Sequence, residues 1–241
     1  MASIKYLDRI LPTPAENLAL EEVLLDDCEA GGDEVLRVWE PAEPFVVVGY
    51  GNAVAAEVNL AACAREGVPV LRRSSGGGTV VQMPGCLCYA LILRVERAAA
   101  LAGIRETNRY ILGRVAGALR SLVPWPIEWA GDTDLAIGNR KFAGNSQRRK
   151  RHAVLFHGSL LLRADLSQIS RLLPQPSREP AYRAGRSHEE FLLNLGLDPA
   201  KVNQAFRQAW EAFEPHPGPD LGRVAELVRE KYGNARWILR A

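Results

Sequence analysis

One stretch of the chain points at chemistry before any other: Arg72-Arg73-Ser74-Ser75-Gly76-Gly77-Gly78-Thr79. Three consecutive glycines after a strand cost backbone entropy and return no packing. What they offer is close approach, so that bare amides converge on one anion. The flanking arginines and hydroxyls add charge and donors suited to a phosphate. The stretch is not a Walker A loop, because no Gly-Lys-Ser/Thr follows, and it is not a GxGxxG fingerprint. A surface turn with chance arginines would carry the same letters.

A second stretch runs from Asp134-Leu135-Ala136-Ile137 through Gly138-Asn139 to Arg140-Lys141-Phe142-Ala143. Two β-rich runs separated by Gly-Asn predict a tight hairpin. In the second strand Arg140 and Phe142 face one way and Lys141 the other. An inward lysine is costly unless it meets an anion, although a solvent-facing lysine has the same spacing. Lysine is a marked choice here, since only Lys5, Lys141, Lys150, Lys201 and Lys231 occur among the 30 lysines and arginines. Gly144 follows, as if the backbone must again come close to something. His157-Gly158-Ser159 interrupts an apolar strand, where a histidine also fits as a satisfied core residue. The run Arg148-Arg149-Lys150-Arg151-His152 reads as a solvated loop.

These residues need elements to position them. Thr13-Pro14-Ala15-Glu16 is a capping box with proline at the first helical position. Its helix carries the stripe Leu20, Val23, Leu24 and Cys28 and ends at Gly31-Gly32. A second helix is expected from about Asn108 to Leu122, stopped by Pro124 and Pro126, and a third from Ser187 to Gly196. A fourth opens at Asp198-Pro199 with the stripe Val202, Phe206, Ala209, Trp210 and Phe213, and a last covers about Leu221 to Tyr232. Strands are expected at Glu34–Trp39, Phe45–Val48, Pro69–Arg72, Thr79–Gln82, Leu87–Leu93 and Ala153–Leu162, besides the hairpin. Pro174 to Arg186 reads as a long surface loop. Many strands with helices at both ends and one between predict an α+β fold, a mixed β-sheet with flanking helices. No repeat or linker divides the chain, so residues 1–241 are expected to form one domain.

Composition narrows the function. The chain has 241 residues, 47% hydrophobic and 24% charged, which excludes a disordered tail, a fibrous repeat and a disulfide miniprotein. A net charge of +2 gives no case for nucleic acid. No apolar run approaches the ~20 residues of a membrane span, and no signal segment opens the chain. Cys28, Cys63, Cys86 and Cys88 fit buried apolar roles, and Cys86-x-Cys88 suits neither a redox pair nor a zinc knuckle. A reduced, cytoplasmic protein with no metal site of its own is expected.

Taken in order, Asn17-Leu-Ala-Leu-Glu-Glu22, Val46–Gly49 with Asn52, Arg72–Gly78, Asp134-Leu135, Arg140-Lys141 with Gly144, and His157-Gly158 with Leu160-Leu-Leu162 resemble the lipoate–protein ligase family. The resemblance covers roughly residues 15 to 170. It implies the biotin/lipoate ligase catalytic fold, related to class II aminoacyl-tRNA synthetases. It also implies a two-step reaction. Lipoate and MgATP give lipoyl-AMP, and the lipoyl group then passes to a lysine of a lipoyl domain, in the E2 component of a 2-oxoacid dehydrogenase or a glycine cleavage H protein. By resemblance, Arg73, Ser75, Gly76, Gly77, Gly78, Thr79, Val80, Val81, Asp134, Lys141 and Gly144 would hold the nucleotide. Val48, Gly49, Tyr50, Gly77, Lys141, His157 and Gly158 would hold lipoate, with the acyl chain near Val48, Tyr50 and the Cys86–Tyr89 strand. Lys141 would bridge carboxylate and α-phosphate as the catalytic cation. Gln82 stands where the family often has histidine and cannot titrate. The chain ends where family members often continue into an accessory domain, so a separate accessory protein is an expected partner. The main alternative is the octanoyltransferase branch, which moves the acyl group between carrier proteins without ATP through a cysteine after the lysine; here no cysteine follows Cys88. A non-catalytic lipoyl-domain partner that kept the fold is a further alternative.

Overall fold

The computed structural model describes residues 3–240. In chain order the chain forms β1 (Ile4–Leu7), α1 (Pro14–Glu29), β2 (Glu34–Trp39), β3 (Phe45–Val48), α2 (Val54–Glu57), α3 (Leu60–Glu66), β4 (Val70–Arg72), β5 (Val80–Gln82) and β6 (Cys86–Arg94). Then come α4 (Ile104–Leu119), β7 (Glu128–Ala130), β8 (Asp134–Ile137), β9 (Arg140–Arg149), β10 (Ala153–Leu161), α5 (Leu166–Leu172), α6 (His188–Phe191), α7 (Pro199–Ala209), α8 (Leu221–Leu227) and α9 (Ala235–Ile238). A π-helical turn, Val228–Tyr232, continues α8.

Seven strands form one sheet in the order β1-β2-β6-β10-β9-β8-β7, and β4-β3-β5 form a second. Parallel pairs β1–β2 and β3–β4 stand among antiparallel ones, so both sheets are mixed. The fold is α+β with a mixed sheet and flanking helices, as the element pattern implies. On β6, Leu87, Tyr89, Leu91 and Leu93 pack toward Ile111 and Val115 of α4 and Val202 and Phe206 of α7. The alternate residues Cys88, Ala90 and Ile92 pack toward α1 and toward Phe45, Val47 and Leu71 of the small sheet. Period-two alternation thus feeds two cores from one strand. The small sheet's other face packs on α2, α3 and α5 through Val46, Val48, Cys63 and Ile169.

The capping box at Thr13 forms: Glu16 N–H donates to Thr13 Oγ1 at 3.2 Å and Thr13 N–H to Glu16 Oε2 at 2.8 Å. Gly138 and Asn139 have φ of 53° and 61°, the positive pair that a tight two-residue hairpin needs. Other expectations are corrected. The helix expected from Asn108 starts at Ile104 and stops at Leu119, and the one expected over Ser187–Gly196 spans only His188–Phe191. Phe213 lies beyond α7 and is exposed. Arg148 and Arg149 belong to β9, and Arg149 donates to the carbonyls of Leu101 and Ala102, so the basic run is not wholly a solvated loop.

Candidate active site

The two sheets face each other around a cavity. The large sheet contributes Trp39, Cys88, Asn145 and His157, and the small sheet with its glycine loop contributes Val47, Arg73, Gly78, Val80 and Gln82. Leu18 and Glu21 of α1 complete the wall.

Lys141 and Asp134 stand in this wall on adjacent strands, with Nζ 2.8 Å from Oδ1. A bulge makes the contact possible. Leu135 pairs with Ala143 and Ala136 with Lys141, leaving Phe142 as the extra residue. Phe142 turns into the core while Lys141 lies along its own strand. A Cβ on Gly144 would sit 2.8 Å from Lys141 Nζ, so the close approach expected at that glycine is to the chain's own lysine. The second Asp134 oxygen accepts from Tyr182 Oη–H at 2.8 Å. Burial, and then the Asp134 charge, hold that phenol well above its ordinary range, so it stays a donor.

The glycine loop joins β4 to β5. Gly77 has φ 84°, a left-handed conformation open to glycine and strained for a side chain. Arg73 clamps the loop from within, donating to Gly78 O at 2.7 Å, Ser75 Oγ at 3.0 Å and Gly76 O. It is buried, and among the described residues no carboxylate pairs with it. Burial lowers its pKa to about 10, so the guanidinium remains charged at neutral pH. A buried cation balanced only by carbonyl dipoles is a seat for an anion. Arg72 does something else. It is wholly buried and donates to the carbonyls of Gly49, Tyr50, Asn52, Trp237, Ile238 and Arg240. The suggestion that both arginines serve the anion is corrected: Arg72 ties the loop's base to the C-terminal helix.

His157 joins a buried hydrogen-bonded chain. Its Nε2 is 2.6 Å from Ser75 Oγ and its Nδ1 is 2.6 Å from Glu21 Oε2. Ser75 Oγ also meets Ser146 Oγ at 2.8 Å, and Glu21 Oε1 accepts from Arg37 at 3.3 Å.

Of the residues expected to bind ligands, Arg73, Gly77, Gly78, Thr79, Val80, Asp134, Lys141, Gly144, His157 and Gly158 line the cavity. Ser75 and Gly76 sit behind them in the loop's hydrogen bonds, and Val81 is in the core under the small sheet. Val48, Gly49 and Tyr50 do not line the cavity. Val48 points into the opposite core, Gly49 O accepts from Arg72, and the Tyr50 ring lies under Arg240 beside Trp237. The acyl wall instead comprises Leu18, Trp39, Val47 and Cys88, with Tyr89 beside them. Glu21, Trp39, Asn145, Ser146 and Tyr182 escaped sequence reasoning. The quoted Asn17–Glu22 motif held Glu21, but nothing marked which of its two glutamates faced inward.

All four cysteines are buried and unpaired, and Cys88 reaches the cavity. Burial pushes the Cys86 thiol up to about 12 and Cys88 well above its ordinary value. Among the described residues no cluster of three or more His, Cys, Asp or Glu could hold a metal ion, and no helix is long and apolar enough to cross a membrane.

Residues 13–210 match the family model of the lipoyl protein ligase A/B catalytic domain. A Mycoplasma pneumoniae protein described as a lipoate-protein ligase A is 32% identical over 76% of this chain, which spans only 52% of that protein. The octanoyltransferase LipM of Moorella thermoacetica is 27% identical over 98% of this chain and 97% of its own. Among solved structures, a T. acidophilum protein described as a lipoate protein ligase, with lipoic acid bound, superposes with TM-score 0.85 at 20% identity over 100% of both chains. A lipoate-protein ligase A bound with ATP superposes with TM-score 0.83 at 21% identity over 99% of both.

Proposed function

The chain belongs to the lipoyl protein ligase A/B catalytic-domain family, and from that premise we propose that it is an ATP-dependent lipoate–protein ligase. In this reading lipoate and MgATP react to lipoyl-AMP and pyrophosphate, with Mg2+ entering on the nucleotide. The lipoyl group then passes to a lysine ε-amine of a lipoyl-domain protein, an E2 component or an H protein.

The observation that carries the reading is a pair of cations on one cavity with an apolar arm. Arg73 sits in a glycine loop without a carboxylate partner, Lys141 lies across Gly144, and Leu18, Trp39 and Val47 extend the wall away from charge. Adenylation joins two anions, a carboxylate and the α-phosphate. A fixed cation between them offsets their repulsion and stabilises charge as the pyrophosphate leaves. Asp134, oriented by Tyr182, holds the ammonium in place until an anion competes for it.

A second reading has one observation in its favour: the near full-length match to an octanoyltransferase, an activity that needs no ATP in the family. The thiol at the cavity for such a route is Cys88, which burial keeps protonated and therefore poorly nucleophilic. The two readings separate in one experiment. With lipoate and α-labelled ATP the ligase forms labelled lipoyl-AMP, and an octanoyl-thioester donor without ATP leaves no acyl group on the protein. An acyl group found on Cys88 by mass spectrometry, with no labelled adenylate, would establish the transferase instead.

A further inference from the structure

Two polar atoms in the cavity wall have no hydrogen-bond partner within the protein: Trp39 Nε1 and Gln82 Oε1. They belong to one end of the cavity. Gln82 stands opposite Phe45 in the β3–β5 ladder, so the two side chains share a face. The Phe45 ring in turn stacks on Trp39, with centroids 6.3 Å apart and planes at 14°. The Arg37 guanidinium, 4.6 Å from the Trp39 centroid, holds the indole as well. Trp39 pairs with Cys88 across the β2–β6 ladder, and both line the cavity. The indole is 4% exposed, so its N–H is withdrawn from bulk water.

Unpaired buried polar atoms are costly, and a ligand that pairs with them recovers that cost. We propose that Trp39 and Gln82 form a specificity subsite for the tail of the acyl chain, selecting a sulfur-bearing tail such as the dithiolane of lipoate over the methyl end of octanoate. The indole N–H donates to sulfur, a weak acceptor. The glutamine amide can present its NH2 in the place of its oxygen, since the terminal amide turns readily and its two poles are interchangeable in shape. A methyl offers neither group anything and leaves both unpaired. Glutamine at position 82 thereby has a task in this chain that needs no titration.

This inference rests on the cavity being the acyl site of the proposed ligase, and the test separates the two. Calorimetric titrations with lipoate and with octanoate would be run on the wild type, Trp39→Phe and Gln82→Leu. The wild type is expected to bind lipoate about tenfold more tightly than octanoate. Each variant should bring that ratio toward one, with octanoate gaining in Gln82→Leu. Gln82 is partly exposed and on a short strand, so Gln82→Leu decides the matter should Trp39→Phe fail to fold. A wild-type ratio near one, or a ratio that neither substitution moves, would overturn the subsite while leaving the acyl site standing. Binding of neither acid would overturn the acyl site and the subsite with it.

Discussion

Gly144 has no room for a side chain while Lys141 lies across it, since an added Cβ would meet Nζ at 2.8 Å and Cε at 2.9 Å. The obstacle is the far end of a flexible side chain, so the cost falls on the lysine's position and not on the fold. Gly144→Ala should therefore melt within a few degrees of wild type and lose roughly 10²-fold or more in adenylation rate. A full loss of folding in a melt would show that the glycine serves packing. Lys141→Arg should not restore activity to a Lys141→Ala enzyme, because a broad planar guanidinium cannot take the place of a compact ammonium between two groups. Rates from Lys141→Arg within about tenfold of wild type would count against a point-charge role. Lys141, Asp134 and the glycine run were legible because their types are expensive without a ligand. Trp39 and Leu18 were not, because an apolar residue in a cavity wall and one in a core look the same in sequence.

At the scale of elements, the proline- and arginine-rich stretch from 174 to 186 reads as a surface loop, yet it carries Tyr182 to Asp134 and packs that ring on Phe191. Tyr182→Phe keeps the packing and removes one donor. It should lower the rate of adenylation several-fold while leaving lipoate affinity unchanged, and a parallel loss of affinity would assign the ring a contact with the acid itself. In the glycine loop, Gly77→Val forces a branched side chain into φ 84° beside Arg73, whose nearest nitrogen would lie 3.0 Å from the new Cβ. ATP affinity should fall far more than thermal stability, a difference that nucleotide titration and a melt measure on one sample. The Gly138-Asn139 hairpin was legible from two residues. The far half of β9 was not, because Asn145, Ser146, Gln147, Arg148 and Arg149 are polar. Gln147 and Arg149 spend that polarity capping the carbonyls of Leu101, Ala102 and Ile104 at the start of α4. Alternation arguments read such a strand as a loop. The short α2 and α3 were missed because an alanine-rich run carries no stripe.

For the whole molecule, the cavity exists because β3, β4 and β5 leave the chain between β2 and β6 and build a second sheet facing the first. Strand composition announces the strands but not which sheet each joins, so fold class was legible and the meeting of the two sheets was not. The same burial sets a pH limit. Cys86 and Cys28 are each raised from an ordinary 9.0 to about 12, chiefly by burial. The unfolded chain releases these protons above about pH 9 while the fold keeps them, so their contribution is full below 9 and is lost as pH rises toward 12. Melting temperature should begin to fall above pH 9, and less steeply in a Cys28→Ala, Cys86→Ala double variant. An identical slope would assign the alkaline loss to other groups. The central claim is that Lys141 bridges two anions in an adenylating cavity, and lipoate-dependent exchange of labelled pyrophosphate into ATP tests it most directly. Wild type should exchange, and Lys141→Ala, melting near wild type, should show exchange lowered about 10²–10³-fold. Near-normal exchange in folded Lys141→Ala, or none in the wild type, would contradict the account.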